Sequence, residues 1–202
     1  MKIHTSAIEQ TARLRADLRL GRPVLVRDNK NFGLVFATET LKKDALLEIK
    51  KFDFNLLHLA ITARRAATLN AIAYDGDVAR IALENDVSYN WLLTTANPAL
   101  DLQHPLKGPF KTIRNGEAHI SRAAIDLCKK AHLLPSALIV NLFEKDFKNL
   151  KSAGLLSQDS QEILNQSSHS SLLHEASAAY LPLQGMTKSR IYVFRDSASF
   201  TE

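Results

Sequence analysis

The sequence predicts a layered α/β (α+β) fold in which a mixed sheet packs against helices. The chain has 202 residues, of which 46% are hydrophobic, so it can bury one substantial core. Two short apolar runs at 24–26 and 34–37 are typical of buried strands, and a polar loop over 28–33 separates them. Further along, a segment with helical periodicity leads directly into an apolar strand over 137–142, as in layered α/β proteins.

Helix and strand signals alternate through the first half of the chain. Ser6 and Glu9 form a capping-box pattern, and the apolar spacing that follows predicts a helix over 6–19. Gly21 and Pro23 end this helix. After the two strands, the pattern predicts a helix from 40 that ends near 52–53, a strand over 55–61 and a short helix capped by Thr62. It then predicts a strand over 78–83, a helical turn at 91–93 and an ordered loop over 104–109.

The second half changes character after residue 150. Apolar residues at helical spacing predict a helix from 117 that Pro135 follows, and it leads into the strand over 137–142. Between 151 and 178 there are eight serines and few β-branched residues. We therefore expect one domain over 1–150, a Ser-rich linker over 151–180 with short helices such as 171–178, and a further module that begins at 181–202 with a strand over 189–195.

Composition narrows the possible functions. A single cysteine excludes an internal disulfide and a Cys-rich zinc site. Charged residues interrupt the first twenty positions, which argues against a signal peptide or a membrane span, so we expect a cytoplasmic protein without membrane partners. The net charge of +5 would suit an anionic partner, but the basic residues are scattered, and we expect no nucleic acid partner.

Few side chains point to chemistry by themselves. Arg22, Arg27 and Lys30 lie around the first predicted strand and could hold a phosphate; alternatively, they only solvate a turn and a loop. His58 lies inside an apolar run with no second ligand at a metal-like spacing, so we interpret it as a core histidine. Cys128 falls on the apolar side of its helix, and we interpret it as a packed hydrophobe rather than a nucleophile.

Several segments, in this order and with similar spacing, resemble a known family. Over roughly residues 6–143 the chain resembles 3,4-dihydroxy-2-butanone 4-phosphate synthase, an enzyme of riboflavin biosynthesis, through Leu18–Asp28, Phe36–Thr40, Ser121–Leu127 and Leu134–Val140. Two later segments resemble the opening of a GTP cyclohydrolase II module: Ala179–Gly185 and Ile191–Arg195. Many bacteria fuse this module behind the synthase. Two further segments, Thr62–Ala67 and Pro105–Phe110, resemble the altered synthase domain of certain cyclohydrolase II proteins.

The chain departs from the synthase pattern where the resemblance implies the metal site. The synthase carries an acidic loop, Arg-Glu-Asn-Glu-Gly-Asp, that binds Mg²⁺, whereas this sequence has no carboxylate between Asp28 and Glu39. The family motif Gly-His-Thr-Glu aligns with residues 119–122, so Ile120 replaces the metal-binding histidine and Arg122 replaces the glutamate. Asp28, Glu39 and His119 are then remnants of the family site, and we expect neither catalytic residues nor a bound Mg²⁺.

The cyclohydrolase resemblance implies a zinc site that this chain cannot supply. That module holds Zn²⁺ with three cysteines well beyond its first strand, and this sequence ends at Glu202 with one cysteine in all. We therefore interpret 181–202 as a truncated start of the module and expect no cofactor in this chain.

Three functional interpretations follow from these patterns. The first is a catalytically inactive synthase-like domain of a GTP cyclohydrolase II protein with a structural, dimerising or regulatory role; because active synthases are homodimers, we expect a homodimer, and a cyclohydrolase II domain is a candidate partner. The second is an enzyme with altered chemistry that holds a phosphate ligand. The third is a basic protein that binds nucleic acid or another anion.

Overall fold

The computed structural model describes residues 6–51, 56–84, 86–166, 173–183 and 186–196. The chain divides into two compact units, Met1–Asn165 and Gln166–Glu202. Each unit is described by itself.

The first unit alternates helices with the strands of one six-stranded sheet. Its helices are α1 (Ala7–Arg19), α2 (Lys43–Ile49), α3 (Ala63–Thr68), α4 (Tyr89–Ala96), α5 (His119–Lys130), α6 (Glu144–Ser152) and α7 (Ser160–Asn165). Its strands are β1 (Val24–Asp28), β2 (Asn31–Ala37), β3 (Leu57–Thr62), β4 (Val78–Ala82), β5 (Ser136–Leu142) and β6 (Ser157–Asp159). The strand order is β4-β3-β5-β2-β1-β6, and each neighbouring pair is antiparallel except β1 and β6, which are parallel.

The sheet separates two helical layers, each with its own apolar core. Along β3, Leu59 and Ile61 belong to the core under α2, α3, α4 and α6, whereas Ala60 belongs to the core under α1, α5 and α7. This alternation follows from the two-residue period of a strand. Because β5 is buried on both faces, it carries the uninterrupted apolar run that the sequence shows. The predicted layered α/β fold with a mixed sheet is confirmed.

Local signals place the first helices as expected. At α1 the Ser6 hydroxyl accepts from the Glu9 amide at 3.2 Å, and the Glu9 carboxylate accepts from the Ser6 amide at 2.7 Å, which completes the predicted capping box. Thr62 caps α3 by accepting from the Arg65 amide at 3.2 Å. The helix predicted to end near 52–53 is wrong in extent, because α2 already ends at Ile49 with Lys50 as its C-cap. The first residue of the strand predicted over 55–61 lies outside the described residues. The helical turn predicted at 91–93 is part of the longer α4.

The polar loop predicted over 28–33 is wrong in extent. Asp28 pairs with Asn31 across an antiparallel hairpin, so the turn contains only Asn29 and Lys30. Asn29 has a left-handed φ of 52°, which asparagine tolerates better than most residues. As a result β2 begins three residues earlier than expected, and the predicted loop residue Gly33 is a buried position of that strand.

The domain boundary predicted at 150 and the linker predicted over 151–180 differ from the structure. The first unit continues through β6 and α7 to Asn165. Gln158 of β6 is buried; its side-chain amide donates to the Ala7 carbonyl at 3.0 Å, and its oxygen accepts from Thr11 at 2.8 Å. A three-residue strand held by a buried polar side chain has no hydrophobic period, so the sequence pattern does not reveal it.

The second unit is a two-stranded antiparallel hairpin of β7 (Leu173–Leu183) and β8 (Met186–Asp196). The helix predicted over 171–178 is therefore wrong for residues 173–178, and positions 171–172 lie outside the described residues. The strand predicted over 189–195 is confirmed within β8. The guanidinium of Arg190 lies 5.5 Å from the Tyr180 ring centre and 5.0 Å from that of Tyr192.

Within the described part of the chain, the helices fall short of the length and apolar character that crossing a bilayer requires.

The position of α7 leads to a truncation experiment. Ending the chain after 166 should leave the free energy of unfolding of the first unit nearly unchanged, whereas ending it after 152 removes β6, α7 and the fully buried Ile163. Loss of Ile163 with its partly buried neighbours Leu156 and Leu164 should cost about 5 kcal/mol. Urea denaturation of both truncated chains measures this difference, and equal stabilities would contradict the assignment of β6 and α7 to the first unit.

Candidate functional site

A buried carboxylate joins three elements at one end of β1. Asp28, the last residue of β1, is 2% exposed. One carboxylate oxygen, Oδ2, lies 3.1 Å from Nδ1 of His119 at the start of α5. The other, Oδ1, accepts a hydrogen bond from Ser160 Oγ at 2.8 Å, at the start of α7. Ser160 is fully buried. The sequence pattern does not reveal its role, because it lies in the segment interpreted as a linker.

Strand alternation and a helix start explain this placement. Val24 and Val26 face the core under α5, so Asp28, two residues further on, lies on the same face of β1. His119 is the first residue of α5, and its N-cap residue Ala118 offers no side-chain cap. A carboxylate beside the start of α5 interacts favourably with the positive end of the helix dipole.

The pair formed by Asp28 and His119 is able to position a proton. The carboxylate fixes the orientation of the imidazole through Nδ1, while Nε2 lies 3.8 Å from a carboxylate oxygen of Glu117. The His119 side chain is 35% exposed, so its imidazole is partly open to solvent. An imidazole oriented by a buried carboxylate is a general feature of acid–base sites.

The same residues do not fit the magnesium site that the resemblance implies. Mg²⁺ takes oxygen ligands in an octahedral arrangement, and both Asp28 oxygens are already engaged by Ser160 and His119. Among the residues that the structure describes, no three His, Cys, Asp or Glu side chains form a group that could hold a metal ion.

The three basic residues predicted to bind phosphate do not form one cluster. Arg22 lies just before β1 and Arg27 near its far end, so about five residues, roughly 16 Å of strand, separate them. Arg22 is 3.9 Å from Asp17, and Arg27 Nε is 3.3 Å from Asp159. Only Arg27 and the exposed turn residue Lys30 lie at the same end of β1 as Asp28.

Glu39, the third predicted remnant, lies away from Asp28. It follows the opposite end of the β1–β2 hairpin, and its carboxylate accepts from the Leu134 amide at 2.6 Å. Glu39 therefore fixes the turn that precedes β5 and takes no part in the site at Asp28.

Two side chains of α5 make polar contacts at positions that the resemblance aligns with the Gly-His-Thr-Glu motif. Arg122 Nε donates to the Asp77 carboxylate at 2.9 Å, and its Nη2 donates to the Asp75 carbonyl at 2.9 Å. Ser121 Oγ lies 3.0 Å from Nε2 of His58, which is 4% exposed. Burial, with a smaller contribution from the charge of Arg80, lowers the pKa of His58 to about 4.

Cys128 is fully buried in the core under α5, as expected for a packed hydrophobe. Its sulfur lies 3.6 Å from the Ser136 carbonyl oxygen. Burial, followed by the negative charge of Glu39, raises the pKa of the thiol to about 12, so the thiolate required of a nucleophile is strongly disfavoured.

Comparison with known proteins identifies the architecture. No protein-family model and no curated protein matches the chain. Solved structures of 3,4-dihydroxy-2-butanone 4-phosphate synthase do match. A cation-free form has a TM-score of 0.56 and 13% identity over 77% of this chain and 95% of that chain. A synthase of Candida albicans has a TM-score of 0.56 and 17% identity over 83% of this chain and 100% of that chain.

A two-domain synthase from A. baumannii covers more of the chain. Its TM-score is 0.59 with 13% identity over 94% of this chain and 67% of that chain. The first unit ends at residue 165 of 202, so this alignment extends into the second unit. At these identities the similarity shows the fold, and the synthase-like architecture predicted from the sequence is confirmed.

Replacing Asp28 tests how much its carboxyl group contributes to the free energy of unfolding. Asp28→Ala should lower the free energy of unfolding by about 3 kcal/mol, because the buried Ser160 hydroxyl and the partly exposed His119 imidazole lose the carboxyl group that they contact. Glu144→Ala is the matched control, since it removes a carboxylate from an exposed pair with Lys148 and should cost less than about 0.5 kcal/mol. Urea denaturation at neutral pH measures both, and similar losses would contradict the account.

The lowered pKa of His58 predicts a pH-dependent stability. Neutral His58 is favoured in the folded state, so protons bind more readily to the unfolded chain between its ordinary pKa of 6.5 and the folded value of about 4. The free energy of unfolding should therefore fall by about 3 kcal/mol as the pH drops through this window. Denaturant titrations at several pH values measure the slope.

Two variants separate His58 from the other titrating groups. His58→Gln removes the titration and should flatten the slope. His132→Asn is the control, because His132 is exposed and asparagine tolerates its left-handed φ of 56°. A slope that persists in His58→Gln would show that another group causes it.

Proposed function

We propose that this chain is a catalytically inactive synthase-like domain of riboflavin biosynthesis that acts in the cytoplasm as a structural, dimerising or regulatory module of a GTP cyclohydrolase II protein. The observation that carries the proposal is the carboxylate of Asp28, whose two oxygens bind Ser160 and His119 inside the protein. A carboxylate that is 2% exposed, with an internal partner on each oxygen, contributes to folding and is poorly placed to bind a metal ion.

The β1–β2 turn supports the same conclusion. The resemblance implies an acidic metal-binding loop after the first strand, and in this chain Asn29 and Lys30 alone make that connection. A lysine in the turn adds a positive charge where a divalent cation would need negative ones. The tight turn also leaves no length of chain that could fold over a sugar phosphate.

The second unit supports a link to a further module. The alignment with the two-domain synthase from A. baumannii extends past the first unit into the β7–β8 hairpin. The hairpin contains the residues that resemble the opening of GTP cyclohydrolase II. A two-stranded hairpin by itself is marginally stable in water, so a further module would stabilise these strands.

A second candidate function follows from the Asp28–His119 pair. Because the His119 side chain is 35% exposed, the pair could move a proton to or from a bound phosphate ester without a metal ion. Arg27 and Lys30, at the same end of β1, would then hold the phosphate. This candidate is an enzyme with altered chemistry on the same fold.

Three incubations of the purified chain distinguish these candidates. With ribulose 5-phosphate and Mg²⁺, and separately with GTP and Zn²⁺, the purified chain should give no turnover while an active synthase and an active cyclohydrolase serve as positive controls. With ribulose 5-phosphate in D₂O and a chelator, the inactive-domain proposal predicts no exchange of carbon-bound hydrogen by NMR.

Each contradicting outcome has a definite meaning. Mg²⁺-dependent or Zn²⁺-dependent turnover would overturn the proposal of an inactive domain. Chelator-resistant exchange that His119→Gln abolishes would establish the second candidate. Self-association has its own test, because sedimentation should show twice the chain mass of 22.5 kDa, and a monomer mass would remove dimerisation from the proposal.

A further inference from the structure

A second polar cluster lies on the other side of the sheet from Asp28. Arg65 of α3, Asp101 and Lys107 meet beside a cleft of about 280 Å³. The cleft is lined by the end of α3 and by the loop that follows α4, through Leu69, Asn70, His104, Pro105, Lys107 and Phe110 among others. Leu69 and Phe110 pack on the core under α3 and α4, whereas Asp28 faces the core under α5.

Strand direction also separates the two sites. β1 and β3 run in opposite directions, because each is linked to β5 through pairings of known sense. The end of β3, from which α3 begins, therefore lies at the opposite end of the sheet from Asp28. The cleft and the Asp28 site therefore lie on opposite faces of the sheet and at opposite ends of it.

Most of the hydrogen-bonding capacity of Arg65 is used within this cluster. Its side chain is 8% exposed, and four of its five N–H donors have partners. Nε donates to the Thr95 carbonyl at 2.8 Å and Nη2 to the Thr94 carbonyl at 3.1 Å. Nη1 and Nη2 also donate to the two oxygens of Asp101 at 2.5 and 2.7 Å. Arg65 therefore has little capacity for a ligand.

Lys107 has the capacity that Arg65 lacks. Its side chain is 4% exposed, although its loop neighbours from His104 to Leu106 are exposed. Of its three N–H donors, one reaches Asp101, and among the described residues no other acceptor contacts the ammonium group. Trp91 Nε1 donates to the Lys107 carbonyl at 3.0 Å and holds this part of the loop against the core.

The charges in the cluster do not balance. The Arg65 guanidinium, with a smaller effect from Lys107, lowers the pKa of Asp101 well below its ordinary value, so the carboxylate is ionised. Two nearly buried cations then share one carboxylate, and one positive charge remains. Burying a charge is costly unless a counter-charge and hydrogen bonds accompany it.

We propose that the cleft beside Lys107 binds a small organic anion that carries a phosphate or carboxylate group. The anionic group accepts the free ammonium donors of Lys107 and neutralises the remaining charge, while Asn70 and His104 line the opening. The apolar walls of Leu69, Pro105 and Phe110 contact the rest of the ligand. A volume of about 280 Å³ matches a small metabolite rather than a nucleotide.

Calorimetric titration of the full chain tests the site with three probes at constant ionic strength: inorganic phosphate, glycerol 3-phosphate and acetate. One saturable site is expected for the phosphate probes or for acetate, and the preferred probe identifies the anionic group. In Lys107→Met the affinity should fall by roughly tenfold or more, because a charge-assisted contact is lost. Lys111→Met is the matched control; Lys111 is exposed, four residues further along, and its loss changes the net charge equally.

Two results would overturn the proposal. One is the absence of saturable binding by all three probes, and the other is an equal loss of affinity in Lys107→Met and Lys111→Met, which would indicate general attraction to a basic surface. If Lys107→Met fails to fold, NMR of the unmodified chain decides. Amide shifts on adding the phosphate probe should concentrate at Asn70, Lys107 and Phe110; shifts centred on Lys30 would instead place the anion at the β1–β2 turn.

Discussion

The carboxylate of Asp28 joins segments that lie far apart in the chain. His119 follows it by 91 residues and Ser160 by 132 residues, and both reach its oxygens because α5 and α7 begin at the same end of β1. A carboxyl group that is 2% exposed requires such partners. This one group therefore connects β1, the first strand of the first unit, with α5 and with α7, its last helix. The same contacts determine what chemistry the site can support.

The helix that carries His119 packs very closely on the sheet. A Cβ at Gly33 of β2 would lie 2.8 Å from Cγ2 of Ile120, so glycine at this position permits the approach of α5. Ile120, Ser121 and Arg122 contact the core, His58 and Asp77 respectively. All three side chains therefore make internal contacts, as Asp28 does.

The sequence was informative where burial follows a regular period. The spacing of residues along the sequence predicts the capping box of α1, the amphipathic α5 and the apolar β5, because each element follows a regular pattern. The elements after residue 150 did not, because β6 is held by the buried amide of Gln158 and α7 buries Ile163 almost alone. Ser160 was missed for the same reason, since a serine that binds a buried carboxylate looks like any other in a Ser-rich segment.

The candidate site was predictable only in part. Asp28 and His119 could be named from a family resemblance, but their contact depends on the packing of α5. Arg22 and Arg27 were grouped because they are near in sequence, and the extended strand between them separates them. The cluster at Lys107 has no sequence signature, because a buried lysine in a polar loop differs from an exposed one only through tertiary contacts.

Direct metal binding tests the central claim, that the Asp28 carboxylate serves folding and is unavailable to a divalent cation. Mn²⁺ is added to the protein as a substitute for Mg²⁺, and the electron paramagnetic resonance signal of free Mn²⁺ is followed. The account predicts that the free signal rises in proportion to the added ion, as in a protein-free solution. A stoichiometric site that disappears in Asp28→Asn would contradict it.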